Sequence, residues 1–434
     1  MSQYRAYPAY KDSGVEWIGQ VPEEWLNRKV FHAFQTIGSG TTPPSKEHEW
    51  YQGGTIPWIT TSELRENTVV ETKKCVTRDA MQKFSALKIF PASSLAIAMY
   101  GATIGRLGFL GIPATTNQAC CVLSGERDLN VQFLYYWLMA FRAEIVAIFS
   151  EGGGQPNINQ EVIASLWVPS PDTDEQATIA STLDRETARI DALIQKKTRF
   201  IDLLKEKRQA LITHAVTKGL DPNVKMKDSG VEWIGLVPEH WDVKPFFALV
   251  TELNRKNVGL VETNILSLSY GNIIQKPETR NMGLTPESYE TYQIVESGEI
   301  VFRFTDLQND KRSLRSAQVT QRGIITSAYM AVKPHSIDST YFAWLMRSYD
   351  LCKVFYAMGG GLRQSLKFED VRRLPVLIPP VDEQSEITNT INAETARIDA
   401  LVEKTEQSII LLKERRAAFI TAAVTGQIDL RGKQ

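Results

Sequence analysis

The chain of 434 residues is too long for one ordinary domain and reads as two or three. Its composition, 43% hydrophobic and 23% charged, excludes a disordered chain, and a formal net charge of −1 signals no bulk attraction for nucleic acid. A basic patch is a local feature that such a sum hides. No apolar run approaches bilayer length and the start has no signal-peptide core, so the expectation is a cytoplasmic protein with no membrane partner. Cys75, Cys120, Cys121 and Cys352 have no CxxC spacing and read as small apolar fillers, and the five histidines are scattered, so no metal site is expected.

In chain order, residues 1–25 close with KDSGVEWIGQVPEEW (11–25). The same segment returns as KDSGVEWIGLVPEHW at 227–241, with 13 of 15 residues identical at an offset of 216; only Gln20/Leu236 and Glu24/His240 differ. Residues 26–172 form a first variable domain. In it IPWITTSEL and SSLAIAMYGATIGRLGFLG read as strands with glycine turns, and VQFLYYWLMAFRAEIVAIF (131–149) reads as a buried helix. Residues 173–219 form a long helix: Asp174 and Glu175 suit its first turn, Gly219 ends it and Pro222 lies beyond.

Residues 220–241 carry the returning motif, and 242–380 form a second variable domain. There NILSLSYGNII and SGEIVFRFT are strand-like, and STYFAWLMRSYDLCKVFYAM (339–358) is the matching buried helix. Residues 381–426 repeat the long helix at an offset of 208, with ETARIDAL identical in both copies, and 427–434 are a tail. Heptad-like apolar positions recur at Ile190, Leu193, Ile194, Phe200, Ile201, Leu204 and Leu211, and again at Ile398, Leu401, Val402, Ile409, Leu412 and Phe419. The two helices are therefore expected to pack together; a plain dimerisation arm would show the same periodicity. The fold class that follows is α+β: two α/β-mixed domains separated by two long, antiparallel, coiled-coil-like helices with pseudo-twofold symmetry.

Local charge and polarity suggest where a ligand is met. Residues 243–378 hold 17 Lys and Arg against 13 Asp and Glu, a net of +4, whereas 26–170 hold 12 against 11, a net of +1. Arg303, Lys311, Arg312, Arg315 and Arg322 fall within one loop-like stretch, 302–322, where long cationic side chains suit phosphate contact and base-edge readout. A solvated surface loop is the alternative. Thr60, Thr61, Tyr100, Thr103, Arg106, Asn117 and Gln118 offer base- or phosphate-contacting types in the first variable domain, and Asn272 does so in the second. Taken alone, the GATIG run within this set reads more readily as an ordinary β-turn. GGGQPN and GGGLRQ place Gly153, Gln155, Arg363 and Gln364 either at hinges or where backbone meets phosphate.

No GxxxxGK[ST], GxSxG or HExxH motif occurs, and neither proline pair has the flanking residues of an adenine methyltransferase site. No catalytic constellation is visible. With the duplicated KDSGVEWIG motif, the GGGQPNIN turn and the twice-used DEQ entry into an ETARIDAL helix in view, the whole chain resembles the specificity subunits of type I restriction–modification systems. That resemblance implies a non-catalytic subunit whose variable segments are target-recognition domains and whose helices are spacers. It implies a bipartite double-stranded DNA target with a fixed spacer, two methyltransferase subunits and restriction (motor-nuclease) subunits as partners, and adenine methylation carried out by those partners. S-adenosylmethionine, ATP and Mg2+ then sit on the partners, with no cofactor in this chain. A stand-alone nuclease or methyltransferase would need a motif that is missing, and a protein-binding scaffold would leave the basic loop unexplained.

Overall fold

The computed structural model describes residues 5–150, 156–276, 288–307, 313–358 and 365–431. They form two compact units, Met1–Lys196 with Gln407–Gln434, and Lys197–Glu406. Both boundaries fall inside long helices, so each unit holds one variable domain and half of each helix.

The helices Thr173–Lys218 and Val381–Val424 run unbroken for 46 and 44 residues, or about 65–70 Å each at 1.5 Å per residue. In the first unit, Ile179 and Leu183 share a core with Phe419, Ile420 and Val424, and Asp191 meets Arg416 at 3.0 Å. In the second, Ile212 and Val216 share a core with Ile387 and Ile391, and Arg208 meets Asp399 at 3.0 Å. The paired positions sum to 607 in both cases, so the helix halves are antiparallel within each unit. The two ion pairs are also repeat equivalents at the offset of 208. Leu193, Phe200 and Leu401, expected in the apolar seam, are instead 40–45% exposed. They flank a 4-3 spaced seam, so their side chains point past the partner helix.

The duplicated motif folds by its own chemistry. Tyr10–Asp12 pairs with Gln20–Pro22, and Met226–Asp228 with Leu236–Pro238, each antiparallel. The amide of Gly14 donates to Asp12 Oδ1 at 2.8 Å, and that of Gly230 to Asp228 Oδ1 at 2.9 Å. Gly14, Gly19, Gly230 and Gly235 all take positive φ, which explains the S-G-x-x-x-x-G spacing. The closing tryptophans, Trp25 and Trp241, are fully buried.

The repeated DEQ segment is a clamp. Gln176 Nε2 donates to Pro171 O and Asp128 O at 2.9 and 3.1 Å, while its Oε1 accepts the amide of Asn130 at 2.7 Å. Gln384 Nε2 likewise donates to Pro379 O, and its Oε1 accepts the amide of Asp338, both at 2.8 Å. Asn130 and Asp338 are the N-caps of the buried helices Val131–Ala140 and Ser339–Leu351. One glutamine thus ties long helix to core helix in each unit, and two divergent domains share one frame.

Neither core helix keeps its expected length. The first ends at Ala140 and resumes as Arg142–Phe149 after a 70° bend at Phe141. The second stops at Leu351 and resumes at Val354 after Lys353, whose φ is +62°. Among the described residues no single helix is long and apolar enough to cross a membrane; the bent pair passes by composition, but Phe133–Leu138 are buried in the core.

In the first unit a five-stranded sheet has the order Phe34–Gly38, Cys120–Glu126, Leu95–Ala98, Leu107–Leu110, Asn67–Val69, the last pair parallel. A smaller sheet sets Ile56–Ile59 between parallel Thr115–Thr116 and antiparallel Cys75–Val76. Cys120 and Cys121 fill the cores on opposite faces of one strand, and burial pushes the Cys121 thiol up to about 12. In the second unit a four-stranded antiparallel sheet runs Val250–Leu253, Met330–Pro334, Ile300–Phe302, Ser316–Gln318. Two further ribbons, Leu266–Ser269 with Asn272–Gln275 and Gln293–Val295 with Gly323–Ile325, stand beside it.

Candidate nucleic-acid interface

In the first unit the parallel strands Ile56–Ile59 and Thr115–Thr116 end side by side, because the Asn117 amide donates to Ile59 O at 3.0 Å. This brings Thr60, Thr61, Asn117 and Gln118 to one rim. Thr60 Oγ1 lies 2.9 Å from Ser62 Oγ and 3.0 Å from Glu63 Oε2, in a capping box that fixes the loop. Asn117 Oδ1 accepts the Ala119 amide at 3.2 Å, and the residue is half-buried. The exposed Gln118 accepts from Thr42 Oγ1 at 2.5 Å and shares a side-chain hydrogen bond with Tyr100, whose phenol is pushed up chiefly by burial. Of the seven proposed residues of this unit that are described, Thr60, Thr61, Tyr100, Asn117 and Gln118 therefore converge.

Thr42 and its loop were not foreseen, although the run GSGTTPP carried the signal. A Cβ on Gly40 would lie 1.8 Å from Thr116 O, and the Gly40 amide donates to Thr116 Oγ1 at 3.0 Å. Only glycine lets this loop lie against the strand end. Trp58 Nε1 donates to Thr41 O at 3.1 Å and the Tyr51 hydroxyl to Pro43 O at 2.6 Å, so the loop is held from below. The exposed Thr42 hydroxyl stands beside Gln118 as a ready-made donor and acceptor.

Thr103 and Arg106 belong to a different feature. GATIG is the turn between Leu95–Ala98 and Leu107–Leu110, with Gly101 and Gly105 at φ +76° and +70°. Arg142 donates to Ile104 O at 3.0 and 3.2 Å and to Glu66 Oε1 at 3.1 Å, and a Cβ on Gly105 would approach Arg142 Cγ to 2.9 Å. The glycines serve the turn and the seat of Arg142. Thr103 Oγ1 bonds Tyr100 O at 3.4 Å, and Arg106 is half-buried.

In the second unit the basic stretch divides. Arg315 is fully buried: its guanidinium donates to Thr305 O, Asp306 O and the Tyr356 hydroxyl at 2.8, 3.2 and 3.1 Å. It is a clip inside the domain, which corrects its assignment to DNA contact. Sequence alone could not show this, because an arginine in a polar run reads as exposed until a ring and carbonyls close over it. Arg303 is half-buried at the end of Ile300–Phe302. Arg322 is exposed but bonds Glu262 Oε2 at 3.1 Å. The Glu262 carboxyl is held below the usual range by the Asn264 amide first, then by the Thr263 amide and Arg322. Asn272 follows a hairpin tip at Tyr270–Gly271, where Tyr270 is 75% exposed with φ +45° and Gly271 is buried. Arg347, not foreseen, braces that tip through Gly271 O and Ser316 O. Lys311, Arg312, Gly153, Gln155, Arg363 and Gln364 lie outside the described residues.

Residues 22–201 match the family model described as the type I restriction modification DNA specificity domain. The MjaIX specificity subunit of Methanocaldococcus jannaschii is 23% identical, over 99% of this chain and 98% of that one. The EcoKI specificity subunit of Escherichia coli is 21% identical over 94% and 90%. Among solved structures, a chain from work on assembly and conformational transition of the type I R-M system covers 94% of this chain and 99% of its own, with a TM-score of 0.70 at 12% identity. The HsdS subunit of Thermoanaerobacter tengcongensis gives 0.55 at 13% identity, over 94% and 98%.

Residues 22–201 thus carry a type I restriction modification DNA specificity domain, and nearly the whole chain is similar to type I specificity subunits. Among its described residues no three His, Cys, Asp or Glu side chains converge as a metal ion would require.

Proposed function

We propose that this chain is a non-catalytic specificity subunit that reads a bipartite double-stranded DNA target, one half-site per unit, with a fixed number of unspecified base pairs between them. The observation that carries the reading is the duplicated frame around dissimilar contents. The hairpin motif, glutamine clamp and interhelical ion pair recur in each unit. The rims they support differ: Thr42, Thr60, Asn117, Gln118 and Tyr100 in one, and the Tyr270–Asn272 tip braced by Arg347 in the other. Such rims suit different base sequences, so the target is asymmetric.

Each long helix passes without a break from one unit into the other, and the pair acts as the ruler between half-sites. Two methyltransferase subunits dock on the repeated frame and methylate adenine within the target, and restriction subunits join them for cleavage. S-adenosylmethionine, ATP and Mg2+ belong to those partners, and the assembly works in the cytoplasm. The test is single-molecule methylation sequencing of a methylation-free host expressing this subunit with its methyltransferase partner. One bipartite, asymmetric, adenine-methylated motif is expected. An unmodified genome despite a stable complex would overturn the reading.

A further inference from the structure

The second unit contains an open cavity of about 540 Å³ between the end of the first long helix and the start of the second. Asp221, Asp382, Glu383 and Glu386 line it, together with His240. An acidic wall alone designates no ligand. The internal repeat supplies the independent observation, because the same place in the first unit already holds an arginine.

At the offset of 208, Glu383 corresponds to Glu175 and Asp221 to Asp429; at the offset of 216, His240 corresponds to Glu24. In the first unit Glu175 accepts the Tyr7 hydroxyl and lies 3.9 Å from Arg431 Nη1. Arg431 also reaches Glu24 Oε2 at 3.2 Å and Asp429 Oδ2 at 2.9 Å, and its guanidinium stacks over the Tyr7 ring at 4.7 Å. Those two side chains come from opposite ends of the chain. In the second unit the chain is continuous at this point, and one residue, Asn223, occupies the position of both Tyr7 (offset 216) and Arg431 (offset 208). It supplies neither ring nor cation.

Glu383 is consequently held from one side only. Its Oε2 takes Trp241 Nε1 at 3.0 Å and His240 Nε2 at 2.7 Å. Its Oε1, which a Cβ on Gly219 would approach to 3.2 Å, accepts no hydrogen bond among the described residues. The nearby Lys218 turns its ammonium back to the Ile234 and Leu236 carbonyls and does not neutralise the cavity. The carbonyl end of the first long helix adds negative potential there.

We propose that this cavity is a receptor for an arginine side chain of a partner protein, whose guanidinium takes on Glu383 the place that Arg431 takes on Glu175. A planar fork of five donors can satisfy Glu383 Oε1 and a second carboxylate together, which the point charge of an ammonium does less well. The site is distinct from the DNA-reading rims and does not depend on which bases those rims read.

The test uses the full chain and N-acetyl-arginine methylamide as probe, followed by NMR of the imidazole signals. With five histidines in the chain, the His240 resonance is assignable by comparison with His240→Gln. A shift of that resonance saturating on the order of 1–10 mM is expected, with the lysine analogue several-fold weaker. The near-isosteric Glu383→Gln abolishes the response, and Asn223→Arg abolishes it by filling the cavity from within the chain. Drift without saturation, equal response to the lysine analogue, or a response that survives in Glu383→Gln overturns the proposal. Should Asn223→Arg fail to fold, Glu383→Gln alone decides.

Discussion

Replacing Arg315 with alanine separates a structural arginine from a DNA-contacting one. The substitution strips Thr305 O, Asp306 O and the Tyr356 hydroxyl of their donor and removes a cation stacked 5.4 Å from the Tyr356 ring. It also removes a positive charge near Asp350, which is fully buried and accepts the Arg315 amide. Hydrogen bonds from a charged donor contribute about 1.5–3 kcal/mol each and do not add, so a net loss of about 3–5 kcal/mol is expected. For a unit of this size that corresponds to a fall in Tm of roughly 6–20 °C at about 2–4 °C per kcal/mol. Hydrogen exchange resolved by peptide should show the loss in the second unit and leave the first protected, which avoids reading a single ΔG from a two-unit chain. DNA affinity of the protein that remains folded should keep its salt dependence. Unchanged stability with the slope of log K against log salt reduced by about one unit would place Arg315 on a phosphate and refute the reasoning.

Burial pushes the Asp350 carboxyl up to about 6 from an ordinary 3.8, against the Arg315 amide and the charges of Arg347 and Lys353. The folded unit therefore binds this proton more tightly than the unfolded chain, and its stability falls as pH rises from about 4 to about 6; Asp350→Asn should flatten that part of a denaturation-midpoint profile. Gln118→Ala should relax base preference at one position of the half-site read by the first unit, by about 1–3 kcal/mol, and leave the other half-site intact in the methylation motif. Gly105→Ala forces a side chain into φ +70° and against Arg142, and should cost about 1–2 kcal/mol in thermal unfolding of the first unit. Removing one heptad from both long helices shortens each by about 10 Å, and the methylated motif should then lose about three spacer base pairs with both half-sites unchanged.

The sequence by itself determined the duplicated frame and the long helices. The reason is physical: S-G-x-x-x-x-G imposes its own turn through positive φ at Gly14 and Gly19, and a 4-3 apolar period over forty residues has no other stable form. It also brought Thr60, Asn117 and Gln118 into view as side-chain types that contact bases or phosphates. Only the tertiary structure decided which polar residues are available. Arg315 lies in the same basic run as Arg322, yet one is enclosed by Tyr356 and two carbonyls while the other is exposed and ion-paired, because each environment depends on partners 9 to 60 residues away. Thr42 reaches Gln118 only because Gly40 lies against Thr116. Glu175 and Glu383 sit in identical DEQ segments, and their difference arises from chain ends that meet over one and a continuous link that leaves the other open. Local patterns encode turns and periods; contact between distant segments is what turns a carboxylate or an arginine into a site.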